Sequence, residues 1–290
     1  MGKLTGIQWA DDTVNPTSGC DGCELWTPGI GGPCYAGNFH ETRLAKSLPL
    51  LYAPSFDEVR LIPGRMAKAV RCMDLVGHDR LDKPWLNGLR RKIFVGDLGD
   101  IFSAVVPFDY LKAEIIDIAT SSNGSRHDLL LLTKQPGRAV QFATWLTEQG
   151  LAWPDNVWVG TSITGRASVG RIKHLAKMPA MHRYLSVEPL IEDPGLTPVM
   201  VRGVIDWMII GGESDQGQRQ GREFKVEWAR VLITLAMEIG AAPFVKQLGS
   251  SPTLRGRPLH LPDVHGGEWG AWPRDVRVRE LPVEPAIIAA

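Results

Sequence analysis

The chain has no excess of charge of either sign, because its 290 residues include 32 Lys and Arg and 32 Asp and Glu. A neutral protein has no general electrostatic attraction to nucleic acid, so any such binding must come from a local patch or a partner. No apolar run reaches the roughly 18 residues of a membrane span, and the N-terminal residues lack a hydrophobic signal segment. We therefore expect a soluble, cytoplasmic protein without a membrane partner.

Cysteine is scarce, yet three of the four cysteines fall within fifteen residues. Cys20, Cys23 and Cys34 form a C-x2-C-x10-C pattern in a segment, residues 15–40, that is rich in glycine and proline. Glycines permit tight turns that let several thiolates converge on one point. The pattern therefore predicts a loop that surrounds an inorganic centre.

Three thiolates suit two kinds of centre. They can hold a 4Fe-4S cluster with one iron left open, or a zinc ion with a fourth ligand, for which His40 is a candidate. A disulfide with one free thiol is disfavoured, because no signal segment directs the chain to an oxidising compartment. Spacing alone leaves iron and zinc open.

The N-terminal quarter of the chain has weaker secondary-structure signals. We predict a short strand over residues 6–9, a helix over 37–48, and a second helix that begins near Pro63 and carries Cys72. An isolated cysteine on a helix usually acts as a small buried hydrophobe, so Cys72 is interpreted as structural.

From Lys92 onward, short apolar runs alternate with amphipathic stretches. Near-continuous apolar runs are typical of parallel strands buried on both faces, and they occur at residues 93–95, 129–132, 157–159, 184–185, 207–210 and 244–245. Helical patterns cover residues 110–120 and 228–239, the latter followed by Gly240 as a C-cap. The alternation predicts an α/β protein, a complete or partial (β/α) TIM-like barrel over residues 1–248. Residues 249–290 are predicted to form a C-terminal extension, with an edge strand near Val276 and a disordered tail from Pro282.

Polar and glycine residues follow each predicted strand. In parallel barrels the carboxyl ends of the strands form the active site, so these residues are expected to meet the cysteine loop there. The candidates at the strand ends are Gly96, Asp97, Lys134, Ser162, Glu188, Gly211, Gly212, Glu213 and Lys246.

Nine sequence blocks in the same order resemble a known family. They are IQWADDTVNPTSGC, PCYA, IFVGDLGDIF, LLLLTKQPGRA, NVWVGTSI, RYLSVEPLIE, IDWMIIGGESDQG, APFVKQLG and GGEWGAWPRDVRVRE. The chain resembles the phage-associated three-cysteine protein family, a divergent branch of the radical S-adenosylmethionine (radical SAM) superfamily that is related to spore photoproduct lyase. The resemblance spans residues 7–280 and favours the iron-sulfur interpretation over zinc.

The cysteine spacing departs from the superfamily pattern. The usual compact motif is C-x3-C-x2-C, and relatives in this family commonly end their loop in C-x2-C-Y-A. In this chain the close pair comes first, and an eleven-residue step leads to Cys34-Tyr35-Ala36. The placement of each individual cysteine therefore does not transfer from the family.

The resemblance implies a barrel of the radical SAM type with Cys20, Cys23 and Cys34 as cluster ligands. The cluster would bind SAM and cleave it to a 5′-deoxyadenosyl radical, with electrons from a donor such as flavodoxin or ferredoxin. For SAM binding we consider Gly96, Asp97, Ser162, Glu188, Gly211, Gly212 and Glu213. For substrate contacts we consider Lys134 and Lys246.

The substrate follows from the family context only. It points to phage DNA in a host cytoplasm, and to modification or rearrangement of a modified base such as an amino-acid-decorated thymidine, which would have to be flipped out of the duplex. Isomerase, lyase and transferase chemistry all remain open. Possible phosphate contacts are Arg90, Arg91, Lys92, Arg255 and Arg257. The alternatives are a radical SAM enzyme for a free nucleotide or peptide, a radical SAM fold that only binds, and a zinc-stapled nucleic-acid-binding accessory protein without catalysis.

Overall fold

The computed structural model describes residues 5–216 and 218–282. The chain divides into two compact units. The first comprises the described residues up to Ser162 together with residues 170–183, and the second comprises residues 163–169 and those from Tyr184 onward.

The first unit contains four parallel strands in chain order. They are β1 (Asp12–Val14), β4 (Arg91–Val95), β5 (His127–Thr133) and β6 (Val157–Ser162). A separate antiparallel pair is formed by β2 (Thr17–Ser18) and β3 (Arg60–Leu61). The register pairs Thr13 with Phe94, Phe94 with Leu130, and Leu130 with Trp158. Because the strands are parallel, their carboxyl ends lie on the same edge of the sheet.

Helices connect these strands. The helix after the cysteine loop runs as α1 (Tyr35–Phe39), a π-helical segment (His40–Leu44) and α2 (Ala45–Ser47), and a second composite helix runs as α4 (Phe108–Leu111), a π-helical segment (Lys112–Ile116) and α5 (Asp117–Ala119). The other helices of this unit are α3 (Arg65–Ala69), α6 (Pro136–Glu148) and α7 (Ile172–Leu175). Short 3-10 helices cover Pro84–Leu86, Gly124–Arg126 and Arg166–Arg171.

The second unit repeats the pattern with three parallel strands, β7 (Arg183–Val187), β8 (Trp207–Gly211) and β10 (Ala242–Gln247). A smaller sheet contains β9 (Phe224–Lys225), β11 (Pro252–Leu254) and β12 (Arg257–Pro258). Its helices are α8 (Pro198–Val201), α9 (Val226–Ile239) and the 3-10 turns Trp269–Ala271 and Arg274–Val276. Gly240 ends α9 in the left-handed conformation, with φ of 77°, as the sequence predicted.

Every residue of β4, β6 and β8 is buried, which confirms that the apolar runs are strands covered on both faces. Seven parallel strands in chain order, with helices between them, make this a mixed α/β protein compatible with a partial (β/α) barrel. Within residues 5–216 and 218–282, no helix is long and apolar enough to cross a membrane.

Two local predictions near the N-terminus are wrong. Residues 6–9 form a turn rather than a strand, because the carbonyls of Thr5, Ile7 and Ala10 all accept hydrogen bonds from Nζ of Lys83. The helix predicted to carry Cys72 ends at Ala69, so Cys72 lies beyond it.

Two of the predicted phosphate contacts are also wrong. Arg91 and Lys92 are buried, and each is used inside the fold. Arg91 forms an ion pair with Asp12, whereas Nζ of Lys92 lies 2.5 Å from Asp128 and 4.5 Å from the centroid of the Trp158 ring. Arg255 and Arg257 are exposed, as phosphate contacts require.

The predicted edge strand near Val276 is reduced to one bridge. Arg279 pairs antiparallel with Phe244 of β10, and the carbonyl of Val278 accepts a 2.8 Å hydrogen bond from Val245. The predicted disordered tail lies outside the described residues except for Pro282.

Candidate functional site

The cysteine loop follows β1 directly and returns on itself through backbone contacts. Cys23 and Trp26 exchange two backbone hydrogen bonds of 2.9 and 3.0 Å, and the amide of Cys20 donates to the carbonyl of Phe56. Gly19 has φ of 82°, and a Cβ there would lie 2.4 Å from the carbonyl oxygen of Glu58. Only glycine fits this position, so the chain can make its close approach at the first cysteine.

An apolar cluster packs against one side of the cysteine loop. Trp26, Ala36 and Phe56 are buried together, and Cys20 and Cys34 pack against them. The Trp26 and Phe56 rings meet edge to face at 5.2 Å, while Nε1 of Trp26 donates to Asp57 at 2.7 Å. Two of the three thiols therefore share one apolar floor that limits the access of water.

All three loop cysteines are free thiols and half-buried. Burial, followed by the nearby charge of Asp100, raises the pKa of Cys20 to about 12. Burial also raises the pKa of Cys23, against the opposing effect of Lys134. Cys23 acts electrostatically on Cys20, and Cys34 acts on Cys23, which places the three sulfur atoms in one neighbourhood.

The donor chemistry of this neighbourhood fits a metal centre, because three sulfur ligands suit an iron-sulfur cluster or zinc. Within residues 5–216 and 218–282, however, no three His, Cys, Asp or Glu side chains stand in an arrangement that could already hold a metal ion. The thiols would have to turn toward one point, and a bound metal would displace their protons.

His40, the candidate fourth zinc ligand, and Cys72, which was interpreted as structural, both contact other groups. His40 is buried, its Nε2 lies 2.8 Å from the carbonyl oxygen of Ala53, and its ring packs edge-on against Tyr52 and Phe56. This is the environment of a core histidine. Cys72 has its sulfur 3.7 Å from Nε2 of His127, far along the chain from the loop.

Asp97 lies directly after β4 and is held by a residue that follows β1. Nδ2 of Asn15 donates to Asp97 at 2.6 Å, and Oδ1 of Asn15 accepts from the amide of Leu98 at 3.0 Å. Burial raises the pKa of Asp97, although the Asn15 hydrogen bond opposes the shift. Gly96, with φ of 89°, allows the turn between strand and carboxylate.

Asp100 was not among the predicted site residues, yet it organises the next strand end. Its carboxylate accepts from Oγ1 of Thr133 at 2.8 Å, from the amide of Lys134 at 2.8 Å and from the amide of Phe102 at 3.0 Å. The signal in the sequence was weak, since an aspartate at this position equally well caps a turn.

Asp21, which was also missed, fastens the loop to the same edge. One of its oxygens accepts from Nε2 of Gln135, and the other accepts from the amide of Ala104 at 2.6 Å. The loop, the end of β4 and the end of β5 are therefore connected by side-chain hydrogen bonds, as expected for residues at the carboxyl ends of parallel strands.

Lys134 lies close enough to Cys23 and Asp100 to act on both electrostatically. Among the residues that the structure describes, its ammonium has neither a hydrogen bond nor an ion pair. Ser162 is buried at the end of β6, and its carbonyl accepts from Arg171 at 2.9 Å. Arg171 also binds Glu24 of the cysteine loop through both carboxylate oxygens.

In the second unit, Glu188 and Lys246 are paired. They follow β7 and end β10, respectively, and Nζ of Lys246 donates to Oε1 of Glu188. A Cβ at Gly211 would lie 3.1 Å from the Glu188 side chain, so the glycine leaves room for this carboxylate. Three of the predicted residues, Glu188, Gly211 and Lys246, therefore lie together at the strand ends of this unit.

Glu213 is not available as a free carboxylate. Arg222 donates to it from Nε at 2.6 Å, from Nη2 at 2.7 Å and from its backbone amide at 3.1 Å. Burial alone would raise the pKa of Glu213, but these hydrogen bonds outweigh burial and lower it. Gly212 lies against the backbone, since a Cβ there would be 2.4 Å from the carbonyl oxygen of Leu248.

Comparison with known proteins gives one family. No curated protein and no solved structure matches the chain. A family described as "Protein of unknown function (DUF5131)" matches residues 4–272, which is nearly the whole chain. The chain that folds into this α/β architecture with its three-cysteine loop belongs to the DUF5131 family.

Proposed function

We propose that the protein is a radical SAM enzyme whose cysteine loop holds a 4Fe-4S cluster. The observation that carries the proposal is the neighbourhood of Cys20, Cys23 and Cys34, three free thiols on one glycine-rich loop after the first strand. The resemblance to radical SAM proteins supports it, whereas membership of DUF5131 assigns no activity.

When bound, the cluster would supply the electron that cleaves SAM and yields a 5′-deoxyadenosyl radical. The chain contributes the surroundings. The floor of Trp26 and Phe56 covers one side of Cys20 and Cys34, and the cation of Lys134 favours the thiolate form of Cys23. A one-electron donor protein would be the partner for reduction.

Polar groups at the strand ends are proposed to orient SAM. In the first unit these are Asp97 after Gly96, and Ser162. The Glu188 carboxylate and the Lys246 ammonium of the second unit are a separate candidate site, with one partner for an amine and one for a carboxylate. Because the Glu213 carboxylate is bound by Arg222, we propose that Glu213 stabilises the turn at Gly211 and Gly212 and does not bind SAM.

A modified base in phage DNA, or the corresponding free nucleotide, is the proposed substrate, and the host cytoplasm is the proposed location. A base in duplex DNA would have to leave the stack to reach the loop. This part of the proposal depends on the family resemblance, with Lys134 as the cation beside the cysteines that is best placed for a substrate contact.

The test is an anaerobic determination of iron, sulfide and zinc in the purified protein, with absorption spectra before and after dithionite. About four iron and four sulfide atoms per chain, with absorbance that bleaches on reduction, are expected. Cys20→Ala should lose the iron, whereas Cys72→Ala, which changes the one cysteine outside the loop, should retain it. One zinc and no iron after anaerobic reconstitution would refute the radical mechanism and favour a zinc-stapled binding protein.

A further inference from the structure

The helix that leaves the cysteine loop carries a partly exposed aromatic stripe, in which Tyr35 and Arg43 are exposed and Phe39 is half-buried. Tyr35, Phe39 and Arg43 are spaced by four residues, so their side chains share one side of the helix. The Tyr35 and Phe39 rings are stacked, with centroids 5.8 Å apart and planes inclined by 7°. The Arg43 guanidinium lies 5.7 Å from the centroid of the Phe39 ring.

This stripe is distinct from the face that the helix buries. Ala36 and His40 point into the apolar cluster, whereas the side chain of Tyr35 remains 59% exposed. Tyr35 follows Cys34 directly, and Asp97 is near enough to act on its phenol electrostatically. The exposed ring therefore lies beside the cysteine neighbourhood.

Positive charge lies at the Arg43 end of the stripe, whereas the Asp97 carboxylate acts on the Tyr35 end. Arg43 forms no ion pair with any carboxylate that the structure describes. Glu41, the acidic residue of this helical segment, is turned away, because its Oε1 accepts from the amide of Phe56. Lys46, on the next turn, is exposed. A stacked aromatic surface with a free guanidinium suits a ligand that combines a flat ring with an anionic group.

We propose that Tyr35, Phe39 and Arg43 form a stacking platform for an unpaired nucleobase, with Arg43 directed toward the attached phosphate. Aromatic side chains bind bases of any sequence through their ring faces, and a cation nearby attracts the backbone. The inference rests on the proposed function, for which it names the substrate class and the side of the loop from which the substrate arrives.

The test uses the full-length protein and a labelled oligothymidylate of about ten nucleotides, within the usual range for single-strand sites. Fluorescence anisotropy would measure the dissociation constant of this single strand. The same measurement would be made for the sequence in a duplex and for an abasic oligomer, and thymidine monophosphate would be tested as a competitor. The single strand should bind more tightly than the duplex or the abasic oligomer. Competition by the monophosphate at similar concentration would identify a free nucleotide as the source of the base.

The variants separate stacking from charge. Tyr35→Ala should weaken binding about tenfold, the loss typical of one stacked base, while Tyr35→Phe should restore it. Arg43→Gln should weaken binding more than Lys46→Gln, which removes one charge from the same helical segment without touching the stack. Equal affinity of Tyr35→Ala and the parent, or equal affinity for abasic and normal oligomers, would overturn the proposal.

Binding requires no cluster, so the two proposals fail separately. Metal content is measured on the same preparations. Zinc without iron, together with Tyr35-dependent binding, would refute the radical mechanism and leave the platform standing. A complete iron-sulfur content without oligomer binding would do the reverse and leave this face available for a protein partner.

Discussion

Asp97 accepts a 2.6 Å hydrogen bond from Nδ2 of Asn15, and this contact joins the end of β4 to the end of β1. The residues are 82 positions apart in the sequence. Asn15 is the first residue of the cysteine loop and precedes Cys20 by five residues, so the bond fixes the point from which the loop leaves the sheet.

Asn15→Ala should lower the free energy of unfolding by about 1–3 kcal/mol, because it leaves the half-buried Asp97 carboxylate without its side-chain hydrogen-bond donor. The first residues of the cysteine loop would also be held less firmly, so the cysteines would bind a cluster less well and the iron content should fall. Urea denaturation and iron analysis check both effects. Asn123→Ala is the control, because among the described residues the exposed Asn123 side chain bonds to Arg126 alone, three positions away. Equal effects of the two variants would contradict the assignment.

Gly37→Ala should disturb the apolar floor, because a Cβ at residue 37 would lie 2.5 Å from two atoms of the Trp26 ring. Overpacking of this kind costs about 1–3 kcal/mol. A lower thermal midpoint and a shift in tryptophan fluorescence are expected. Gly170→Ala provides the comparison, since no atom of the residues that the structure describes lies within 4 Å of a Cβ there. An unchanged midpoint for Gly37→Ala would show that Trp26 can move freely.

Gly211 and Gly212 are neighbours with different expected tolerance. Alanine at 211 meets the flexible side chain of Glu188 at 3.1 Å, whereas alanine at 212 meets the backbone carbonyl of Leu248 at 2.4 Å. We expect a loss of at most about 1 kcal/mol for Gly211→Ala and about 3 kcal/mol or more for Gly212→Ala. Chemical denaturation of the two variants measures this difference, and the reverse order would be inconsistent with the structure.

Glu213→Gln should make the free energy of unfolding change less with pH in the acid range. The pKa of Glu213 is lower in the folded chain than its ordinary value of 4.5, so its ion pair stabilises the fold above that value. The stabilisation is lost as pH falls below 4.5 and through the folded pKa. The variant should therefore be less stable than the parent at pH 7, by about 2 kcal/mol, with the difference shrinking toward pH 3.

Urea midpoints across this pH range provide the measurement. Glu148→Gln is a matched control, because Glu148 is exposed at the end of α6 and makes no side-chain hydrogen bond or ion pair among the residues that the structure describes. A difference between parent and Glu213→Gln that stays constant with pH would argue against the lowered pKa.

Much of the architecture could be predicted from the sequence. Strands such as β8 are continuous apolar runs, and α9 has an amphipathic pattern with a glycine cap, both of which arise from local chemistry. The predictions failed where a distant partner decided the conformation. Residues 6–9 could have been a strand, but Lys83 draws three of the nearby carbonyls into a turn.

The sequence by itself determined the alternation of strands and helices and the presence of three cysteines on one glycine-rich loop, because backbone preference and hydrophobic period are local properties. Only the tertiary structure decided which polar side chains remain free. Lys92, predicted as a phosphate contact, is buried against Asp128, which lies 36 positions away. Lys134, beside Cys23, has an ammonium that pairs with no residue in the described part of the chain. Pairing of charges depends on neighbours in space, and the identity of those neighbours is fixed only when the strands are assembled.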